Sequence, residues 1–125
     1  MPGFTEYFVN TVIDHNLRGE AYTPPTALYA KQHVGDPGPA GVANPSVVTT
    51  REEIELLAAA GGSTNLVADV DWLATATEGV SHISVWDDDT SGNCLLTVEL
   101  EDEKYVYSGD TVVLASLPLL ILAEA

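Results

Sequence analysis

The densest run of side chains able to do chemistry is Asp87-Asp88-Asp89-Thr90-Ser91-Gly92-Asn93. Asp87, Asp89 and Ser91 take the first, third and fifth places of a calcium-loop pattern, and Gly92 takes the sixth, where such loops turn sharply. The twelfth place, where a bidentate glutamate would close the coordination shell, is Val98, and Glu99 is one residue out of step. Alternating segments flank the run where helices would flank an EF-hand. The stretch reads first as an acidic hairpin tip, with calcium binding by Asp87, Asp89 and Ser91 as the alternative. General acid work needs a carboxyl raised by an apolar pocket, and these aspartates have none in view.

The remaining candidates are isolated. His15, His33 and His82 have no second ligand at close spacing, so structural or surface roles come first, with a site assembled in space still open. Cys94, the single cysteine, cannot form an internal disulfide, which favours synthesis in a reducing compartment. Its place in an alternating segment suggests burial, and no histidine stands near it in sequence to activate it. A glycine-rich phosphate loop, a nucleophile elbow and an HExxH motif are all absent from the sequence. No catalytic, cofactor-binding or metal residue is therefore assigned, and an enzyme is the least favoured reading.

These residues sit on a chain that reads as mainly β. In Gly79 to Leu100, Val80, His82, Ser84 and Trp86 oppose Ser81, Ile83 and Val85, and beyond the acidic turn Leu95, Thr97 and Glu99 oppose Cys94, Leu96, Val98 and Leu100. The turn is rich in residues that bond their own backbone or adopt left-handed conformations, as a hairpin loop requires. Ahead of it, residues 4–17 place Phe4, Phe8, Val9, Val12 and Ile13 at helical spacing, with core packing the first reading of that stripe and docking the second. Gly19 or Asn16 would cap the helix. Tyr22-Thr23-Pro24-Pro25 forces an extended path, Leu28 to His33 reads as a strand, and 35–46 reads as a long loop, either a surface excursion or a contact arm.

Residues 50–60 conflict internally. Thr50 with Glu53 is a capping-box pattern on helix-favouring residues, yet Ile54 and Leu56 alternate with Glu53 and Glu55 before a Gly61-Gly62-Ser63 turn. Further strands are expected at 66–72, at 105–107 after a charged turn at 101–104, at 111–115 and at 119–123. The fold expected is a single domain over 1–125: an antiparallel β-sandwich, jelly-roll or Ig-like, of seven or eight strands over 27–123 with one N-terminal helix.

Charge narrows the partners. Nineteen acidic residues against four basic ones leave a net charge of −15. Nucleic acid and anionic membrane surfaces both draw their affinity from lysine and arginine clusters, so neither is an expected partner. The apolar stretch from Val112 to Ala123 is too short to span a bilayer and is broken by Pro118, and MPGFTEYFVN lacks the pattern of a signal peptide.

The order of these features carries a resemblance. YTPPTALYAKQHVGDPGPAG at 22–41, the Gly-Gly-Ser turn at 61–63, GVSHISVWDDDTSGNCLL at 79–96 and YSGDTVVL at 107–114 together resemble a family of small β-sandwich virion proteins of tailed bacteriophages. Its members are described variously as head decoration or minor capsid, minor tail, or tail-fibre-like components. The resemblance implies a strand over the segment matching Arg51 to Ala58. It also implies a virion structural role without cofactor, and synthesis in the host bacterial cytoplasm. The first expectation is a decoration or minor capsid protein on the outer head surface, with the major capsid protein and copies of itself as partners. A minor tail or head-to-tail connector subunit, with tail proteins as partners, is the alternative. A host-surface or glycan-binding module using Trp72, Trp86, Tyr105 or Tyr107 beside the acidic tip is the third. Docking would use the 35–46 loop, the N-terminal helix or the apolar C-terminus. Glu52, Glu53 and the triple aspartate depart from the small or neutral residues of many relatives.

Overall fold

The computed structural model describes residues 3–116 and the backbone of residues 119–120. Its elements are β1 (Gly3–Phe4), α1 (Glu6–Arg18), β2 (Leu28–His33), β3 (Glu52–Ile54), β4 (Ser63–Thr64), β5 (Val70–Leu73), β6 (Glu78–Trp86), β7 (Cys94–Val106), β8 (Thr111–Leu114) and β9 (Leu119–Leu120). Five strands form an antiparallel sheet in the order β1-β7-β6-β2-β3, and two short ribbons pair β5 with β8 and β4 with β9. The fold is the mainly β, sandwich-like arrangement with one N-terminal helix that the sequence predicts.

One strand ties the layers together. β3 pairs with β2 in the large sheet, with Leu28 opposite Ile54. Three residues later Leu57 N–H donates to Asn65 O at 2.9 Å, Val67 N–H donates to Glu55 O at 2.9 Å, and Leu56 bridges Leu66. The chain from 52 to 57 thus pairs first with β2 in the large sheet and then with residues 65–67, just ahead of β5. Ala30, Ile83, Val85 and Leu96 from the large sheet and Trp72, Val112 and Leu114 from the ribbon form a common buried cluster. Strand wins over helix at 50–57 because these pairings bury Ile54 at the join, and the capping-box pattern at Thr50 goes unused.

Several boundaries differ from expectation, each for a local reason. The helix begins at Glu6, not residue 4, because Gly3 and Phe4 pair with Thr97 and Leu96 and Thr5 becomes the N-cap, its Oγ1 accepting from Phe8 N–H. Gly19 ends it in the left-handed conformation at φ 73°. The expected strand at 66–72 is divided: Leu66 bridges Leu56, whereas β5 starts at Val70 and Ala68 is exposed. Residues 101–104 are not a turn ending one strand before another. β7 runs unbroken to Val106, and pairing jumps from His82 opposite Glu99 to Val80 opposite Lys104. Ser81 therefore faces a four-residue bulge, 100–103, which lets the charged run stand out of the ladder. Of the final expected strand only Leu119–Leu120 is seen, and 121–123 lie outside the described residues.

A second bulge, between Val85 and Trp86, breaks the expected alternation of β7. Leu95 and Leu96, neighbours in sequence, are both buried in the shared cluster. Gln32, fully buried and opposite Ile83, has neither amide atom bonded within the structure described. The two residues should respond oppositely to substitution. Ile83→Ala should cost about 2–5 kcal/mol in a urea titration, as for a fully buried aliphatic side chain. Gln32→Met, which removes two unpaired polar atoms at similar volume, should cost nothing or stabilise by about 1 kcal/mol. A loss above about 2 kcal/mol for Gln32→Met would show that the amide has a partner.

Candidate docking surfaces

The acidic tip is built from its own hydrogen bonds. Asp87 Oδ1 accepts from Asn93 N–H at 2.8 Å, and Asp88 Oδ1 accepts from Thr90 N–H at 3.0 Å and Ser91 N–H at 3.2 Å. Those amide bonds from Thr90 and Ser91 hold the Asp88 carboxyl at about 2. Arg51, at the entry to β3, donates through Nη1 to Asp88 O at 2.8 Å and Ser91 O at 2.7 Å, while its guanidinium lies 4.0 Å from the centre of the Trp86 ring. Arg51 clamps the tip to the sheet. Asp87, placed first in the calcium pattern, is thus engaged by the loop backbone. Among the described residues no three His, Cys, Asp or Glu side chains gather as a metal site.

The 35–46 loop is folded onto the sheet face and is not a free arm. Val34 N–H donates to Asn44 O at 2.9 Å, Ala43 N–H to Pro37 O at 2.9 Å, and Ser46 N–H to Gln32 O at 3.1 Å. Glu78 accepts from Ser46 Oγ and from Val47 N–H. Beneath this cover His33 Nδ1 lies 2.9 Å from Ala43 O. A carbonyl can only accept, so the proton is on Nδ1, and Nε2 accepts from Ser84 Oγ at 2.7 Å. Ser84 Oγ in turn accepts from Trp86 Nε1 at 2.8 Å.

A serine and a histidine at this distance invite comparison with a nucleophile and its base. Both are 0% exposed, however, and the serine proton and lone pair are committed to neighbours inside the fold. The arrangement is a buried polar network that fixes the loop to the sheet. His33 and His82 are opposite one another on adjacent strands, but His82 Nδ1 shares its hydrogen bond with Ser81 Oγ, and His15 Nδ1 bonds Glu20 O. The three histidines therefore have separate partners. Cys94 is buried and its thiol is pushed up to about 11 by desolvation, the opposite of nucleophile activation.

Among the aromatic candidates, Trp72 is buried and donates to Thr50 O, and Trp86 is buried under Arg51. Tyr105 and Tyr107 are exposed, edge to face at 5.8 Å. They stand at the end of the β6–β7 hairpin opposite to the acidic tip, since Tyr105 pairs with Gly79 and Trp86 with Cys94.

The N-terminal helix corrects the core reading of its apolar stripe. No residue of α1 is buried. Phe8 is half-buried, stacked on Phe4 with ring centres 5.0 Å apart, and it alone of the helix packs against the core cluster. Val9, Ile13 and Leu17, spaced four residues apart on one line, are 41, 42 and 79% exposed, and Val12 is 41% exposed beside them. The helix is anchored from below, where Thr5 Oγ1 donates to Cys94 O at 2.7 Å and Thr5 N–H to Leu95 O at 3.0 Å. Beside it a groove of about 380 Å³ is lined by Phe4, Phe8, Leu28, Leu56 and Leu95. An exposed apolar stripe beside an apolar groove has the chemistry of a candidate docking surface. Sequence periodicity found the stripe but not its exposure, because a 3.6-residue period reports an apolar face and not what covers it.

Two outcomes test the loop and its network. Gly41 has φ 76°, and a Cβ there would sit 2.4 Å from Cys94 Sγ and 2.8 Å from Cys94 Cβ. Gly41→Ala should destabilise by about 2 kcal/mol or more, and Cys94→Gly in the same chain should recover the clash but leave the left-handed strain of about 1–2 kcal/mol. Full additivity of the two changes would disprove the contact. The second outcome concerns pH. Burial lowers the His33 pKa, with Lys31 and His82 acting in the same direction and the backbone bonds to Ala43 and Asn44 opposing them. The unfolded chain then binds the proton first as pH falls. The stability tied to the neutral ring is complete above about pH 6.5 and lost progressively as pH drops through the lower folded value. Urea midpoints at about pH 7 and about pH 5.5 should fall further for the native chain than for His33→Gln, the carboxylates being common to both. Equal falls would remove His33 from the linkage.

No curated protein matches the chain. A family model does, described as podophage GP4 fiber I protein gp80, and the match runs over residues 3–121. That span takes in the helix with its apolar stripe, the folded loop, the clamped tip and every strand of both layers. The chain accordingly belongs to the family of podophage GP4 fiber I protein gp80, and is a bacteriophage virion structural protein.

Proposed function

We propose that this protein is a subunit of a phage fibre, attached to its neighbour in the virion through the apolar face of α1. The observation that carries the reading is the match to a fibre-protein family over nearly the whole chain. The tail-side alternative is thereby preferred to the head-decoration role that the sequence resemblance put first. The helix fits the attaching surface on physical grounds. Its face presents Val9, Ile13 and Leu17 while carrying two carboxylates, Glu6 and Asp14, the second paired with Arg18 at 3.0 Å. On a chain of −15 this is a nearly neutral, apolar patch, where close approach of another subunit meets least repulsion. The role is structural and non-catalytic: the Ser84–His33 pair serves the interior, and Asp87 and Asp88 serve the backbone of the tip. A cysteine-poor, acidic chain of this kind suits assembly in the host cytoplasm.

Location and surface can be tested together. Quantitative mass spectrometry of purified particles, separated into heads and tails, should find this chain with the tail fraction at a small fraction of the major capsid subunit. Abundance near that of the capsid subunit, retained on tail-less heads, would overturn the fibre reading and restore decoration. In particles assembled with Val9→Asp/Ile13→Asp, incorporation should fall severalfold while the isolated variant loses no more than about 1.5 kcal/mol of unfolding free energy, the helix-propensity cost of two aspartates at exposed positions. Normal incorporation would show that α1 is not the attachment face.

A further inference from the structure

β7 and β8 follow one another through the short turn at 107–110, yet they do not pair: β8 pairs with β5, and β7 with β6. Among the described residues no strand is paired between these two edges, which leaves a seam on the side of the fold opposite β3. A groove of about 510 Å³ runs along it, lined by residues 98–102 and 104 from the β7 side and by residues 112–116 from β8. More and less buried residues alternate over 98–101 and over 112–115, so the groove follows the backbone edges and not a sheet face. Val98 and Leu100, both partly exposed, supply its apolar floor over the buried Trp72, Ile83, Val112 and Leu114. Glu99, Glu101 and Asp102, all exposed, stand along one wall with Lys104 as the lone cation.

We propose that this seam accepts an extended segment of a partner protein in which lysine or arginine alternates with apolar residues, added as a strand along the free edge of β8. Among the described residues, the edge of β8 away from β5 has no paired strand, so its backbone groups can receive one. Alternation of side chains on the added strand places one set on the apolar floor and the other against the acidic wall. The bulge at 100–103 serves this arrangement, because it lifts Glu101 and Asp102 out of the β6–β7 ladder to line the groove. A second copy of this chain is a poor occupant. Of its four cations, Arg18 is paired with Asp14, Arg51 is bonded to the tip, Lys31 lies in an interior strand and Lys104 already stands on the rim. The proposal concerns this seam alone and holds for a head or a tail position alike.

The probe is a blocked ten-residue peptide of alternating valine and lysine, titrated into the full chain by fluorescence anisotropy and followed by amide hydrogen exchange. Saturable one-to-one binding is expected, with new protection over 112–116, and a valine–glutamate peptide should not bind. Reversing the wall with Glu99→Lys/Glu101→Lys/Asp102→Lys should weaken binding about tenfold or more, while the charge-matched Glu53→Lys/Glu55→Lys/Asp69→Lys should change it far less. Absence of binding, equal weakening by both triple variants, or protection elsewhere would overturn the proposal. Protection of 112–116 already present without peptide would overturn it too: its appearance with protein concentration would assign the seam to a second copy, and its constancy to the chain's own end.

Discussion

β6 is buried on both faces, and most of the structure follows from meeting that constraint. One face lies against the β5–β8 ribbon and is apolar, with Ile83 and Val85 in the shared cluster. The other carries His82, Ser84 and Trp86, which an antiparallel sheet would ordinarily leave to water. A buried hydroxyl, ring nitrogen and indole N–H each cost free energy unless bonded, and here Ser84 Oγ meets His33 Nε2 and Trp86 Nε1 while His33 Nδ1 meets the loop carbonyl of Ala43. The loop at 35–46 is thus the second cover of the sheet. Its closeness is set where Gly41 rests on Cys94, and its far end is tied by Ser46 to Glu78.

The excess of acid is handled locally, which explains how a chain of −15 stays compact. Asp87 and Asp88 satisfy the backbone of their own turn, Arg51 bonds that turn from outside, and Glu78 ties down the loop. Asp36 and Asp110 likewise accept from the backbone of their own turns, while the exposed carboxylates at 99–102 gather on one wall of a groove. The surface is consequently divided by chemistry: a nearly neutral apolar stripe on α1, and an acidic wall over an apolar floor at the seam. Self-repulsion disfavours contact between identical acidic surfaces and spares the first of these regions.

What the sequence disclosed was local, and what it hid was tertiary. The β6–β7 hairpin, β2 and the cap at Gly19 follow from alternation and turn chemistry alone, and the structure has them. At 50–57 local propensity favoured helix, and only pairing with β2 on one side and with residues 65–67 further on made the segment extended. The charged run at 101–104 looked like a turn because composition cannot distinguish a turn from a bulge carried inside a strand. Ser84 gave no sign of its role, since a lone serine in an alternating strand reads as a solvent-facing residue. Its two partners lie 51 positions before it and two after it. The helix stripe was legible as a stripe, but whether a stripe is covered depends on neighbours that periodicity does not name.

The outer edge of β7 draws these threads together. Its first part is filled by the chain itself, where β1 pairs at Leu96 and Thr97 and Thr5 caps the helix onto Cys94 and Leu95. Among the described residues that cover reaches Thr97, and the groove begins at Val98. The edge accordingly presents α1 at one end and the seam along the rest, side by side on one flank of the sheet. Opposite it, β3 pairs with β2 and the residues that follow it pair with 65–67. One flank of the sheet therefore carries two chemically different exposed surfaces, an apolar helix face and a groove with an acidic wall.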